Sequence, residues 1–113
     1  MTDQADTLAR TLASYRHAPG MVAAILVSRD GFVIAADAEP GFDVAAFAAQ
    51  AGGVISYVAG LGAELGEHAA KYVAVEFEGV TMVLAPFGDE ILLALLGHPS
   101  ALVCQYQLSD TIA

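Results

Sequence analysis

The sequence predicts an α+β protein: a five-stranded antiparallel sheet with three helices, in the order α-β-β-α-β-β-β-α. Three observations carry this. Turn signals at Asp30-Gly31, Glu78-Gly79 and Phe87-Gly88-Asp89 are short enough to join antiparallel neighbours. The stretch from Val44 to Ala63 carries no charge and repeats its large apolar residues at helical spacing. With 113 residues, 57% of them hydrophobic, the chain fits one domain, 1–113, with a core of its own.

Residues 2–17 read as a first helix. Ala5, Leu8, Ala9, Leu12 and Tyr15 form an apolar stripe, and Arg16 and His17 suit the helix C-terminus. Pro19-Gly20 ends it. Met21 to Val27 is a continuous apolar run, the mark of a strand covered on both faces. Asp30-Gly31 turns the chain, and Phe32 to Ala36 returns as the second strand. Pro40-Gly41 lies in the loop that leads to the central helix.

That helix, from Asp43 to Gly66, organises the chain. Asp43 is a good N-cap, Phe42 and Phe47 can form a hydrophobic staple, and Gly66 is placed to end the helix. One face carries Val44, Phe47, Ala51, Val54, Ile55, Val58, Leu61 and Leu65. A second carries Ala45, Ala49, Gly52, Gly53, Ser56 and Gly60, small enough to let another backbone approach. A helix on the surface of a soluble domain normally offers solvent a charged face. This one offers none, so both sides are expected to be covered: one by the sheet, the other by something else. The alternative is a helix wholly wrapped by its own domain, for which a chain of this length has little material.

After the helix, Lys71 to Glu78 alternates. Val73, Val75 and Phe77 point one way; Tyr72, Ala74, Glu76 and Glu78 point the other. This half-exposed strand is expected at a sheet edge. Val80 to Ala85 and Glu90 to Leu96 follow as strands. Pro99 suits the first turn of a last helix, with Leu102, Val103 and Tyr106 on its buried side.

Charge narrows the partners. The net charge is −9, with four fixed cations, Arg10, Arg16, Arg29 and Lys71. Nucleic acid and anionic membranes reward clusters of Lys and Arg, so neither is expected; a partner with a basic face fits better. The single Cys104 allows no internal disulfide and suits a reducing cytoplasm. No basic segment precedes an apolar run at the N-terminus, so no secretory signal is expected. The uncharged helix is long enough to span a bilayer, but its Ala and Gly content and its lack of flanking Lys or Arg argue against that.

The segments Gly20–Ala36 (GMVAAILVSRDGFVIAA), Asp43–Gly52 (DVAAFAAQAG) and Tyr72–Leu96 (YVAVEFEGVTMVLAPFGDEILLALL), in this order, resemble the Roadblock/LC7 family, and within it the bacterial MglB-like branch. The resemblance spans roughly Leu8 to Leu108. It implies a homodimer in which central helices pack together and third strands pair, joining two sheets. Ala49, Gly53, Ser56 and Gly60 on the helix, with Val73 and Val75 on the strand, are then the expected dimer contacts. It also implies a small Ras-like GTPase (MglA-like) as partner, met by the exposed part of the paired helices around Gln50, Tyr57 and Glu64. In the MglB-like branch such binding speeds GTP hydrolysis by rearranging the GTPase. That branch often has a longer C-terminal segment than the one ending here at Ala113, and the resemblance implies nothing that depends on it.

The residues themselves suggest no catalytic centre. Gly60-x-Gly62-x-x-x-Gly66 has the wrong spacing for a dinucleotide fingerprint and ends a helix instead of opening one. No phosphate-binding loop pattern occurs. His17, His68 and His98 are isolated from one another and from Cys104, so no metal site is expected. Cys104 has no neighbour that would lower its pKa, and Ser28 lacks a nucleophile elbow. Glu76 and Glu78, like Glu64 and Glu67, read as solvated carboxylates. The expectation is a non-catalytic regulatory module without cofactor. Two alternatives stand beside it: a purely structural assembly subunit like the dynein light chains of the same family, and a small-ligand sensor.

Overall fold

The computed structural model describes residues 2–67, 70–86 and 90–98, the first five of these as backbone alone. Their order is α1 (Thr2–Arg16), β1 (Met21–Ser28), β2 (Val33–Ala38), α2 (Val44–Glu64), β3 (Val73–Glu76), β4 (Thr81–Pro86) and β5 (Ile91–Gly97). The strands form one sheet in the order β2-β1-β5-β4-β3, and each neighbouring pair is antiparallel. The α+β class and the five-stranded antiparallel sheet are as the sequence predicts. The described residues hold two helices; the third, expected after Pro99, lies outside them.

The apolar run of β1 is explained by its place. It sits between β2 and β5, and alternate side chains leave opposite faces of the sheet. Ala23, Ile25 and Val27 pack with Ala48, Ala51 and Ile55 of α2, and with Leu84, Leu92 and Ala94 from β4 and β5. Ala24 and Leu26 enter the other cluster, with Leu12 of α1 and Leu95 of β5. The two helices therefore cover opposite faces. Arg16 fastens the end of α1 to the sheet. Its Nη1 donates to the Met21 carbonyl at 3.1 Å, and its Nε lies 3.8 Å from Asp37 Oδ1.

The ends of α2 follow their local chemistry. The Ala46 amide donates to Asp43 Oδ1 at 3.1 Å, and the Phe42 and Phe47 rings meet with centroids 5.8 Å apart. At the other end Gly66 has φ +72°. The Glu67 amide donates to the Gly62 carbonyl, and the Gly66 amide to that of Ala63. This is the Schellman closure that a left-handed glycine permits.

Several expectations need correction. Ala9 is exposed, outside the buried stripe of α1. β2 begins at Val33, after Phe32, and runs on to Ala38. β3 is confined to Val73–Glu76; Phe77 lies past its end and is exposed, off the buried side expected for it. Leu61 and Leu65 are also exposed, because α2 outruns the part of the sheet that covers Val44 to Val58. Gly52 does not belong to an open small-residue face. A Cβ there would come within 3.0 Å of the Gly31 backbone, so this position is where the β1–β2 turn rests on the helix.

Candidate protein-interaction surface

α2 is roughly 32 Å long at 1.5 Å per residue. Its fully buried positions are Ala48, Ala51, Gly52 and Ile55, and Val44, Phe47, Val54 and Val58 are half-buried beside them. The remaining face is exposed and, from Val44 to Ala63, uncharged. By length and composition this helix could cross a membrane. Here one side of it packs on the sheet, and the other is open in the single chain.

All the helix residues named from the sequence as contacts lie on that open side. Ala49, Gly53, Ser56 and Gly60 are exposed, and so are Gln50, Tyr57 and Glu64. The 3.6-residue period interleaves the two groups. Gln50, Gly53, Tyr57, Gly60 and Glu64 follow one outward line, spaced alternately three and four apart. Gly53 and Gly60 are thus the low points of a surface whose high points are Gln50, Tyr57 and Leu61. A Cβ at Gly53 or Gly60 would meet nothing within 4 Å. No contact within the described residues requires glycine at either position.

β3 is an edge strand, paired with β4 alone among the described strands. Val73 and Val75 are half-buried and pack toward the α2-side cluster, while Ala74 and Glu76 are exposed. The two valines therefore turn their side chains to their own core. What β3 leaves open to a neighbour is its backbone edge, with Ala74 and Glu76 beside it.

Tyr72 is exposed, on the side its alternation gave it. Sequence reasoning missed several other exposed apolar groups: Leu61 and Leu65 on α2, Phe77 past the end of β3, and Phe32 at the β1–β2 turn. Periodicity could not find them. Leu61 and Leu65 keep the core spacing of their helix, and Phe77 keeps the alternation of its strand. A shallow apolar groove lies between α2 and the strand ends, lined by Arg29, Ile55, Val58, Ala59, Ala70 and Pro86. It has few polar groups with which to select a small ligand. Among the described residues no polar or charged side chain is buried, and no three His, Cys, Asp or Glu converge.

Fold and surface together define a class: a sheet-and-helix interaction domain whose central helix is half covered. The chain belongs to the Roadblock/LC7 domain family, whose model matches residues 7–97. The solved structures agree. A structure described as MglB with a tetrameric arrangement superposes with TM-score 0.83 at 19% identity, over 94% of this chain and 81% of that one. A gliding protein MglB from Thermus thermophilus gives 0.79 at 20% identity, over 91% and 79%. A Roadblock/LC7 domain from Streptomyces avermitilis gives 0.76 at 23% identity, over 88% and 86%. No curated protein matches the sequence. The resemblance read from the sequence holds for the family, and MglB structures stand among its fold neighbours.

Proposed function

We propose that this chain is a non-catalytic, cytoplasmic regulatory module that acts as a homodimer, binds a small Ras-like GTPase of the MglA-like kind, and accelerates its GTP hydrolysis. Membership of the Roadblock/LC7 family and the MglB fold neighbours support a GTPase-regulating or scaffold role in general. The observation that carries the finer reading is the outward face of α2. An uncharged helix surface with Gly53 and Gly60 at its low points lacks the charged residues that solvent exposure favours. Closing it against a second helix removes apolar area from water and lets the backbones approach. The open edge of β3 offers that same copy a row of backbone hydrogen bonds and removes an aggregation hazard.

Gln50, Tyr57 and Glu64 are the GTPase contacts in this reading; they share the outward line of Gly53 and Gly60, so the platform is the part of these side chains that the second helix leaves uncovered. Tyr57 is 72% exposed and is the natural anchor, since aromatic residues carry a large share of binding energy. The net charge of −9 steers a basic partner face toward it. The chain supplies no catalytic group in this reading; it acts by holding the GTPase in its hydrolytic conformation. The test is a multi-turnover assay of a small Ras-like GTPase from the same organism, with and without this chain. A rise in turnover supports the reading. Binding with unchanged turnover refutes the acceleration and favours a structural assembly subunit.

A further inference from the structure

Among the described strands the sheet ends in two edges, β2 and β3, and they differ in regularity. On β2, Val33 pairs with Val27 and Ala35 with Leu26, so Ile34 is an extra residue in the register, and Asp37 puts a carboxylate on the strand. A bulge and a charge both blunt an edge. β3 keeps an unbroken register with β4, from Val73 opposite Leu84 to Glu76 opposite Thr81. One hydrogen bond fixes which of its residues face outward. The Phe77 amide donates to the Val80 carbonyl at 2.8 Å, so Phe77 and, by alternation, Val75 and Val73 turn their backbone groups to β4. Ala74 and Glu76 turn theirs to the open edge, and both are exposed.

We propose that a second copy adds to β3 about a two-fold axis at Ala74, so that Ala74 lies opposite its own counterpart and Val73 opposite Val75. This rests on the homodimer proposed above and specifies how its two sheets join. The placement of α2 selects a copy over an unrelated strand. Val73 and Val75 pack toward the cluster beneath α2, and a two-fold axis normal to the sheet keeps both copies of α2 on that one side. A single contact then fills the edge and brings the uncharged helix faces together, whereas an unrelated strand fills the edge alone. Hydrogen-bond phase and charge select the register. An axis through a residue sets outward groups against outward groups; an axis between residues does not. Because β3 runs only from Val73 to Glu76, axes at Val73 or Glu76 overlap the strands by a single residue. The axis at Glu76 also sets two carboxylates directly opposite, which is unfavourable. An axis at Val75 leaves the two Glu76 side chains diagonal neighbours on one face, about 7–8 Å apart. The axis at Ala74 keeps the longer overlap and moves these carboxylates about 13 Å apart along the strands, each opposite Tyr72. For a chain of net charge −9 that separation decides between the two central registers.

The experiment uses the full chain carrying Cys104→Ser, with Ala74→Cys, Val75→Cys or Glu76→Cys added singly. Light scattering under reducing conditions gives each mass, and non-reducing gels after mild oxidation give the rate of cross-linking. A hydrogen-bonded antiparallel pair holds its Cα atoms about 5.5 Å apart, within the span of a disulfide. The expected result is a dimer in which Ala74→Cys cross-links at least about tenfold faster than Val75→Cys or Glu76→Cys, whose counterparts lie beyond about 7 Å. Cross-linking at Val75 or Glu76 that matches or exceeds that at Ala74 overturns the register and leaves the homodimer standing. A dimer that cross-links at none of the three overturns the inference by taking β3 away from the joint. A parent chain that stays single overturns the proposed homodimer, and this inference with it.

Discussion

Gly52 and Gly53 are neighbours on α2 with opposite surroundings, and substituting each by Leu separates packing within the chain from packing between chains. At Gly53 the described residues leave open space. In a lone chain Gly53→Leu removes a helix-interior glycine and should stabilise the fold by about 0.7 kcal/mol. If a second helix lies over this position, the same side chain holds the two backbones apart, and overpacking of this kind costs about 1–3 kcal/mol. That is roughly a 5- to 150-fold rise in the dimer dissociation constant. At Gly52 the clash is with Gly31 in the same chain, so Gly52→Leu should lower stability at any protein concentration, by about 1–3 kcal/mol. Sedimentation equilibrium and melting curves over a hundredfold range of concentration read both effects. Expected for Gly53→Leu is a weakened dimer, whose melting temperature depends less steeply on concentration as the single chain becomes populated. A Gly53→Leu protein with intact dimerisation and a higher melting temperature refutes the paired-helix reasoning.

Asp43→Ala removes the cap bond to the Ala46 amide and should cost about 1 kcal/mol in urea unfolding, with no change in oligomer mass. Leu84 is fully buried between β4 and α2, so Leu84→Ala should cost about 2–5 kcal/mol in the same assay. Val75→Pro should break β3 and abolish the dimer in light scattering, and a folded variant of unchanged mass would show that β3 is not the joining edge.

Much of the fold was legible because its signals are local. The run from Met21 to Val27 marks a doubly covered strand; Asp43, the Phe42–Phe47 contact and Gly66 mark the ends of α2; alternation at Val73 and Val75 marks a strand with one face on the core. What was not legible depends on distances between elements. Gly52 and Gly53 look alike in sequence, and only the position of the β1–β2 turn makes one a packing contact and the other open. Leu61 and Leu65 continue a core stripe, but exposure begins where the sheet stops covering the helix, which no periodicity encodes. Phe32 read as the first residue of a strand; its place at the exposed end of a seated turn follows from its backbone bonds to Ser28 and the contact of Gly31 with α2. The helix residues chosen for self-association and for the partner do share the open side of α2. Their interleaving along one line follows from the helical period, but only the packing of α2 on the sheet shows that this line faces outward.

The central claim is that the open face of α2 is closed by a second copy of the chain. Multi-angle light scattering of the parent protein at micromolar concentration tests it most directly. The account predicts a mass of at least twice the 11.6 kDa of a single chain. A mass equal to that of one chain, held across the concentration range, would contradict it.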